Sequence, residues 1–138
     1  MHYFLDTNAA IALIKGAPPA VREKYQRVAP KADSISISSV VAFELWYGVA
    51  RSARQRENTE RLRVFLSGAI AVLPFDEDDA TAAGELRATL EKAGTPIGPY
   101  DLMIAAQALR ADATLVTANT SEFTRVRGLA LQDWAAKG

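Results

Sequence analysis

An α/β fold built on a parallel sheet is predicted by three features of this sequence. Short apolar runs, Tyr3-Phe4-Leu5 first among them, lead into helical patterns. Such runs read as strands buried on both faces, as in parallel sheets. Strand and helix signals then alternate without repeats, low-complexity tracts or linkers, which is the pattern of an α/β architecture. Finally, Asp6 stands where the first run stops, and in open α/β sheets that edge is where ligands bind.

Composition narrows the chemistry. A chain of 138 residues has the length of a single domain, 1–138, able to bury about two-thirds of its unfolded surface. Apolar residues make up 49% and charged residues 23%, an ordinary globular balance. No apolar run approaches the ~20 residues of a membrane span, and no basic segment precedes the first run, so a cytoplasmic location and no membrane partner are expected. The lack of cysteine excludes thiolate nucleophiles, disulfides and thiolate metal sites. Acids and bases number 16 each, and this neutrality counts against a nucleic-acid binder unless several acids are gathered internally. His2 is the only histidine, which argues against histidine acid–base chemistry and a Ser-His-Asp triad.

Taken in order, Thr7 to Lys15 reads as a helix closed by Gly16 and the Pro18-Pro19 pair. Pro19 opens a second helix, Ala20 to about Val28, since proline suits a first helical turn. Ile35 and Ile37 mark a second strand, and Ser38 or Ser39 caps a helix from Val40 to about Ser52 that carries Glu44. That helix is apolar nearly all round: Val41, Leu45 and Val49 form one stripe, and Phe43, Trp46 and Tyr47 lie on other faces. It is either wholly buried or covered on a second face by a partner. Arg51 to Arg63 reads as an exposed charged helix, its arginines mostly solvated. Ile70 to Leu73 forms a third strand stopped by Pro74, and a long helix runs from about Asp78 to Lys92, ended by Gly94. After the Gly98-Pro99 break a helix covers Leu102 to about Arg110, with Asp101 in or beside its first turn. Thr114 to Thr117 is a fourth buried strand, followed by a turn over Ala118 to Ser121. Leu129 and Leu131 form a last short strand, and Trp134 packs over an end of the core.

With right-handed crossovers, Asp6, Glu44, Asp101 and Asn119 come to one edge of such a sheet. Carboxylates converging there repel one another, so some are protonated or a cation neutralises them. Oxygen ligands without histidine or cysteine suit a hard ion, Mg²⁺ or Mn²⁺. Such an ion activates water and stabilises charge on a phosphoryl group, so the implied reaction is metal-assisted hydrolysis of a phosphate ester. Each residue also has a plainer reading. Asp101 can serve as a helix cap, Asp6 can bind the backbone of its own turn, and Asn119 can be a turn residue. Glu44 is harder to dismiss, because its neighbours are largely apolar and a buried carboxylate needs a partner.

Leu5-Asp6-Thr7-Asn8, Ile37-Ser38-Ser39-Val40 with Glu44 and Tyr47-Gly48, Pro96-Ile97-Gly98-Pro99-Tyr100-Asp101, and Val116 to Phe123 occur in this order. Together they resemble the PIN-domain ribonucleases, and more narrowly the VapC toxins of toxin–antitoxin pairs, in particular the group that cuts initiator tRNA in the anticodon stem-loop. The resemblance implies an α/β/α sandwich around a parallel sheet and an acidic site for Mg²⁺ or Mn²⁺. It implies cleavage leaving 5′-phosphate and 3′-hydroxyl ends. It matches Asp6 and Asp101 to the principal metal-binding aspartates, Glu44 to the third acid and Asn119 to a fourth position that is often aspartate, which puts a strict two-metal mechanism in doubt. Glu122, just before Phe123, reads as structural. The family further implies a homodimer and a cognate VapB antitoxin that blocks the site. Thr7, Asn8 and Thr117 are expected behind the acids or on phosphate, and Lys15, Arg51 or Arg54 along the RNA backbone. Two other classes compete: a phospho-receiver module, which needs an acid pair on the first strand and an aspartate ending the third, and a catalytically silent PIN-like binding module.

Overall fold

The computed structural model describes residues 1–136. Five strands form one parallel sheet: β1 (His2–Leu5), β2 (Ser34–Ser38), β3 (Ala71–Leu73), β4 (Thr114–Val116) and β5 (Leu131–Gln132). The helices between them are α1 (Thr7–Lys15), α2 (Pro19–Val28), α3 (Ser39–Ala50), α4 (Gln55–Leu66), α5 (Glu77–Lys92), α6 (Pro99–Arg110) and α7 (Thr120–Phe123). Strand order is β3-β2-β1-β4-β5. The chain therefore moves outward from β1 through β2 to β3, then returns to lay β4 on the other side of β1. That reversal makes a topological switch point between β1 and β4, where an open α/β sheet has its ligand crevice. Helix contacts group α1 with α2, α3 and α4, and α5 with α6, giving the expected layers of helix, sheet and helix.

The three central strands, β2, β1 and β4, are the most enclosed. Phe4 and Leu5 of β1 and Leu115 and Val116 of β4 are buried, with Ile37 of β2 beside them and Val41, Leu45, Ile104 and Ala105 packed from the helices. β3, at one margin of the sheet, is exposed throughout. As expected, Trp134 closes an end of the core, its ring centroid 5.7 Å from Tyr3 and 6.4 Å from Tyr25.

Local chemistry sets the helix ends. Gly16 takes φ +71°, a left-handed conformation in which its amide closes α1 on the Ala12 carbonyl. A Cβ there would also come within 2.6 Å of the Arg22 guanidinium, which caps the Leu13 carbonyl. Ser38, of the two serines expected, is the cap of α3 and accepts the Val40 amide at 3.0 Å. Asp76 and Asp79 form a reciprocal capping box at the start of α5, and Arg110 at the end of α6 reaches Asp79 at 2.7 Å.

Several boundaries differ from the sequence reading, most by a single residue, and four by more or in kind. Pro99 and Tyr100 lie inside α6, because proline fits the first helical position, so Asp101 sits within the first turn. The expected turn after β4 continues into the four-residue helix α7. Leu129 lies outside β5. The charged segment is not helical until Gln55, since α3 ends at Ala50 and the chain turns through 51–54.

Candidate active site

Asp6 follows β1 directly. Its amide donates to the Val116 carbonyl at 3.0 Å, extending the pairing with β4 one step past the last strand residue. Its side chain caps α1, with Oδ1 accepting the Ala9 amide at 2.8 Å. The plainer reading of Asp6 is thus correct, yet it leaves most of the carboxylate's surroundings unexplained. Asp6 is only 5% exposed. Burial raises its pKa, Glu44 and Asp133 raise it further through charge repulsion, and hydrogen bonds from Thr117 and Ala9 act in the opposite direction.

Glu44 projects from α3, the helix that follows β2, and is half-buried. The Thr7 hydroxyl donates to its Oε1 at 2.6 Å, tying the first turn of α1 to α3. The buried carboxylate anticipated at this position therefore has its partner, and that partner is the residue after Asp6. Thr117, buried at the end of β4, accepts the Asn119 amide on its hydroxyl at 2.9 Å. Asn8 is exposed.

Asp101 is not a cap: Gly98 occupies the cap position of α6, and no side chain caps that helix. Instead its carboxyl is pushed up to about 6, first by burial, then by the charges of Glu122, Asp6 and Glu44. Glu122 is drawn the other way. Its carboxylate accepts the Asn119 side-chain amide at 2.8 Å and the Gly98 amide at 3.1 Å, and these hydrogen bonds hold its pKa below the usual range. Asn119 thus acts on its neighbouring acid, fixing Glu122 as an anion beside Asp101.

Asp6, Glu44 and Asp101, brought from three separate elements, are in this way electrostatically coupled at the switch point. They do not amount to a finished cage: among the described residues no three acidic or histidine side chains are already gathered closely enough to hold a metal ion. Two residues that the sequence reading did not place in the site join the cluster. Glu122, expected to be structural, bonds across 24 positions to Gly98. Asp133, just after β5, adds its charge to the field at Asp6. An acid following a β-strand was the available signal for Asp133, the same signal that singled out Asp6.

A cavity of about 300 Å³ opens beside Glu44 between α1, α3 and α4. Lys15, Arg51 and Arg61 line it together with apolar Ile11 and Leu45. Lys15 and Arg51 were among the expected basic residues. Arg54 is not in this lining and pairs with Glu57 at 3.5 Å on the surface. Elsewhere, Asp76 answers the receiver alternative. It follows β3 by three positions and is spent on capping α5 and on Arg110, so no acid of the third strand faces Asp6.

The PIN domain family model matches residues 3–129. The tRNA(fMet)-specific endonuclease VapC of Shigella flexneri is 41% identical over 135 residues, covering 98% of this chain and 99% of that protein. Ribonuclease VapC2 of Rickettsia felis is 40% identical over 134 residues, covering 97% and 98%. Among solved structures, that of VapBC2 from Rickettsia felis bound to a DNA fragment from their promoter superposes with a TM-score of 0.88 at 37% identity, covering 96% of this chain and 98% of the other. A fold with its acids at this switch point, matched along nearly its whole length, places the chain in the PIN-domain family, among the VapC proteins.

Proposed function

We propose that this chain, read as one PIN domain, is a metal-dependent endoribonuclease and the toxin of a VapBC pair. The observation that carries the chemistry is the pair of acids at the switch point whose pKa values are raised by burial and by neighbouring carboxylates, Asp101 to about 6. Two carboxyl groups so placed gain from a divalent cation, which offsets both the burial and the mutual repulsion. Their all-oxygen chemistry suits Mg²⁺ or Mn²⁺. Asp6 and Asp101 would hold the ion, with Glu44 as the third acid. When bound, the ion supplies a water of lowered pKa and counter-charge for the phosphoryl oxygens.

The side chains do the rest. Glu44, held by Thr7, orients the attacking water and takes up its proton. Thr117 and Asn119 keep the β4 end of the pocket in place, and Asn8 faces solvent where RNA phosphate would pass. The water oxygen bonds to phosphorus, the bond from phosphorus to O3′ breaks, and the departing oxygen takes a proton from solvent to leave as a 3′-hydroxyl opposite a 5′-phosphate end. Lys15, Arg51 and Arg61 hold the RNA backbone along the cavity beside Glu44. The substrate is initiator tRNA, cut in its anticodon stem-loop. This reading is supported by the relative named for tRNA(fMet), 41% identical to the chain. The protein works in the cytoplasm as a homodimer, and a VapB-type antitoxin silences it by covering the site.

Incubating the purified chain with total RNA and Mg²⁺ or Mn²⁺, with and without EDTA, and sequencing the new 5′ ends tests this. Discrete ends in initiator tRNA that vanish with EDTA and with Asp101→Asn are expected. Intact RNA, or cleavage indifferent to both, overturns the reading.

A further inference from the structure

The loop that leads into α6 has no side-chain cap, and α7 and the turn after it hold it at two points. Glu122 Oε1 accepts the Gly98 amide at 3.1 Å. Two residues earlier, the Pro96 carbonyl accepts Arg125 Nη1 at 2.8 Å. Arg125 is itself placed by the turn that closes α7, its amide donating to the Glu122 carbonyl at 3.1 Å. Side chains three positions apart thus grip a carbonyl and an amide two positions apart.

The gripped segment leaves little slack. Pro96 and Pro99 fix two of its φ angles, so the remaining freedom lies mainly at Ile97 and Gly98. The Gly98 carbonyl then receives the Leu102 amide at 2.9 Å, which starts α6. Asp101 follows Gly98 by three residues within that first turn, and a Cβ built on Gly98 would lie 3.9 Å from its Oδ2 and 4.0 Å from Glu122 Oε1. Any tilt of the loop is therefore passed directly to the Asp101 carboxyl.

We propose that Arg125 is a positioning residue: its grip on Pro96, together with that of Glu122 on Gly98, sets the first turn of α6 and so the place of Asp101 in the acid cluster. The consequence for catalysis rests on the proposed nuclease reading, whereas the clamp itself does not. Arg125 is exposed and touches none of Asp6, Glu44 or Asp101 through a hydrogen bond among the described residues.

The test compares the purified full chain with Arg125→Gln and Arg125→Lys. Amide exchange at Gly98, followed by NMR without metal, reads the clamp, and kcat and KM on the cleaved RNA read its consequence. In Arg125→Gln, Gly98 exchanges about fivefold faster, the ratio for the net worth of one ordinary hydrogen bond, while amides of β1 and β4 keep their rates. Over the same change kcat falls about fivefold and KM stays within about twofold, because no RNA contact is removed. Arg125→Lys, which keeps a cationic donor, recovers at least half of both effects. Wild-type Gly98 exchange or wild-type kcat in Arg125→Gln overturns the proposal, as does failure of both variants to fold. If the wild-type chain cleaves no RNA, the nuclease reading fails separately and Gly98 exchange still decides whether the clamp exists.

Discussion

At Asp6 a single carboxylate serves two ends, capping α1 through Ala9 and meeting the charges of Glu44 and Asp133 while almost wholly buried. Asparagine caps a helix about as well as aspartate but carries no charge, so the two roles separate. Asp6→Asn should abolish cleavage while the metal-free chain is at least as stable as wild type. Asp6→Ala should abolish cleavage and also cost about 0.5–2 kcal/mol by urea denaturation, the usual value of a lost cap. Equal stability of the two variants would contradict the cap, and cleavage by either would contradict the site. Asp101 carries a second signature. Its folded value of about 6 lies above the ordinary 3.8, so between those pH values the folded chain binds more protons than the unfolded one. Its contribution to metal-free stability is therefore full below pH 3.8 and is lost as pH rises through about 6. Subtracting the curve of Asp101→Asn from that of wild type should leave a difference that falls across this window and is level above it. A difference independent of pH would show that Asp101 is not perturbed.

Elements decide which surfaces are left for partners. Val41 and Leu45 of α3 enter the core, but Phe43 is 53% exposed and Tyr47 58%. The Phe43 ring meets that of Tyr100 of α6 at a tilt of 54°, centroids 5.6 Å apart, so the residues immediately before Glu44 and Asp101 form one aromatic surface at the edge of the site. The reading of α3 as wholly buried is thereby corrected, and the alternative of a second, partner-covered face remains. Contiguous exposed apolar surface of this kind marks an interface. If the proposed homodimer uses this face, Phe43→Glu turns a dimer into a monomer by light scattering. An unchanged mass would remove this face from the dimer contact. With only four residues α7 is too short to persist alone, and its value lies in what it and its flanking residues hold: Gly98 through Glu122, Pro96 through Arg125 just after it and, through Asn119 at its start, the β4 end of the pocket.

For the whole molecule, the parts legible in the sequence were those set by local pattern. Apolar Tyr3-Phe4-Leu5 ending in Asp6, Ser38 before α3 and Pro99 before an apolar helix each carry their own signal, and the handedness of parallel crossovers was enough to bring their acids to one edge. Strand order, and with it the switch point, was not encoded in any one segment. Nor was the clamp: Gly98 meets Glu122 across 24 positions and Pro96 meets Arg125 across 29, contacts that exist only once the sheet has been assembled. The last strand was legible from Leu131, but its bounds were not, since two strand residues give no periodicity, and Asp133 was therefore not seen as an acid that directly follows a strand. What the assembled fold adds is repulsion among acids brought from the end of β1, from α3 and from α6, with Glu44 raising the pKa of both Asp6 and Asp101. A crystal of the chain soaked in manganese tests this most directly through its anomalous difference map. The account predicts one peak within coordinating reach of both Asp6 and Asp101, absent from crystals of Asp101→Asn. Carboxylates turned to separate places with no peak between them would contradict it.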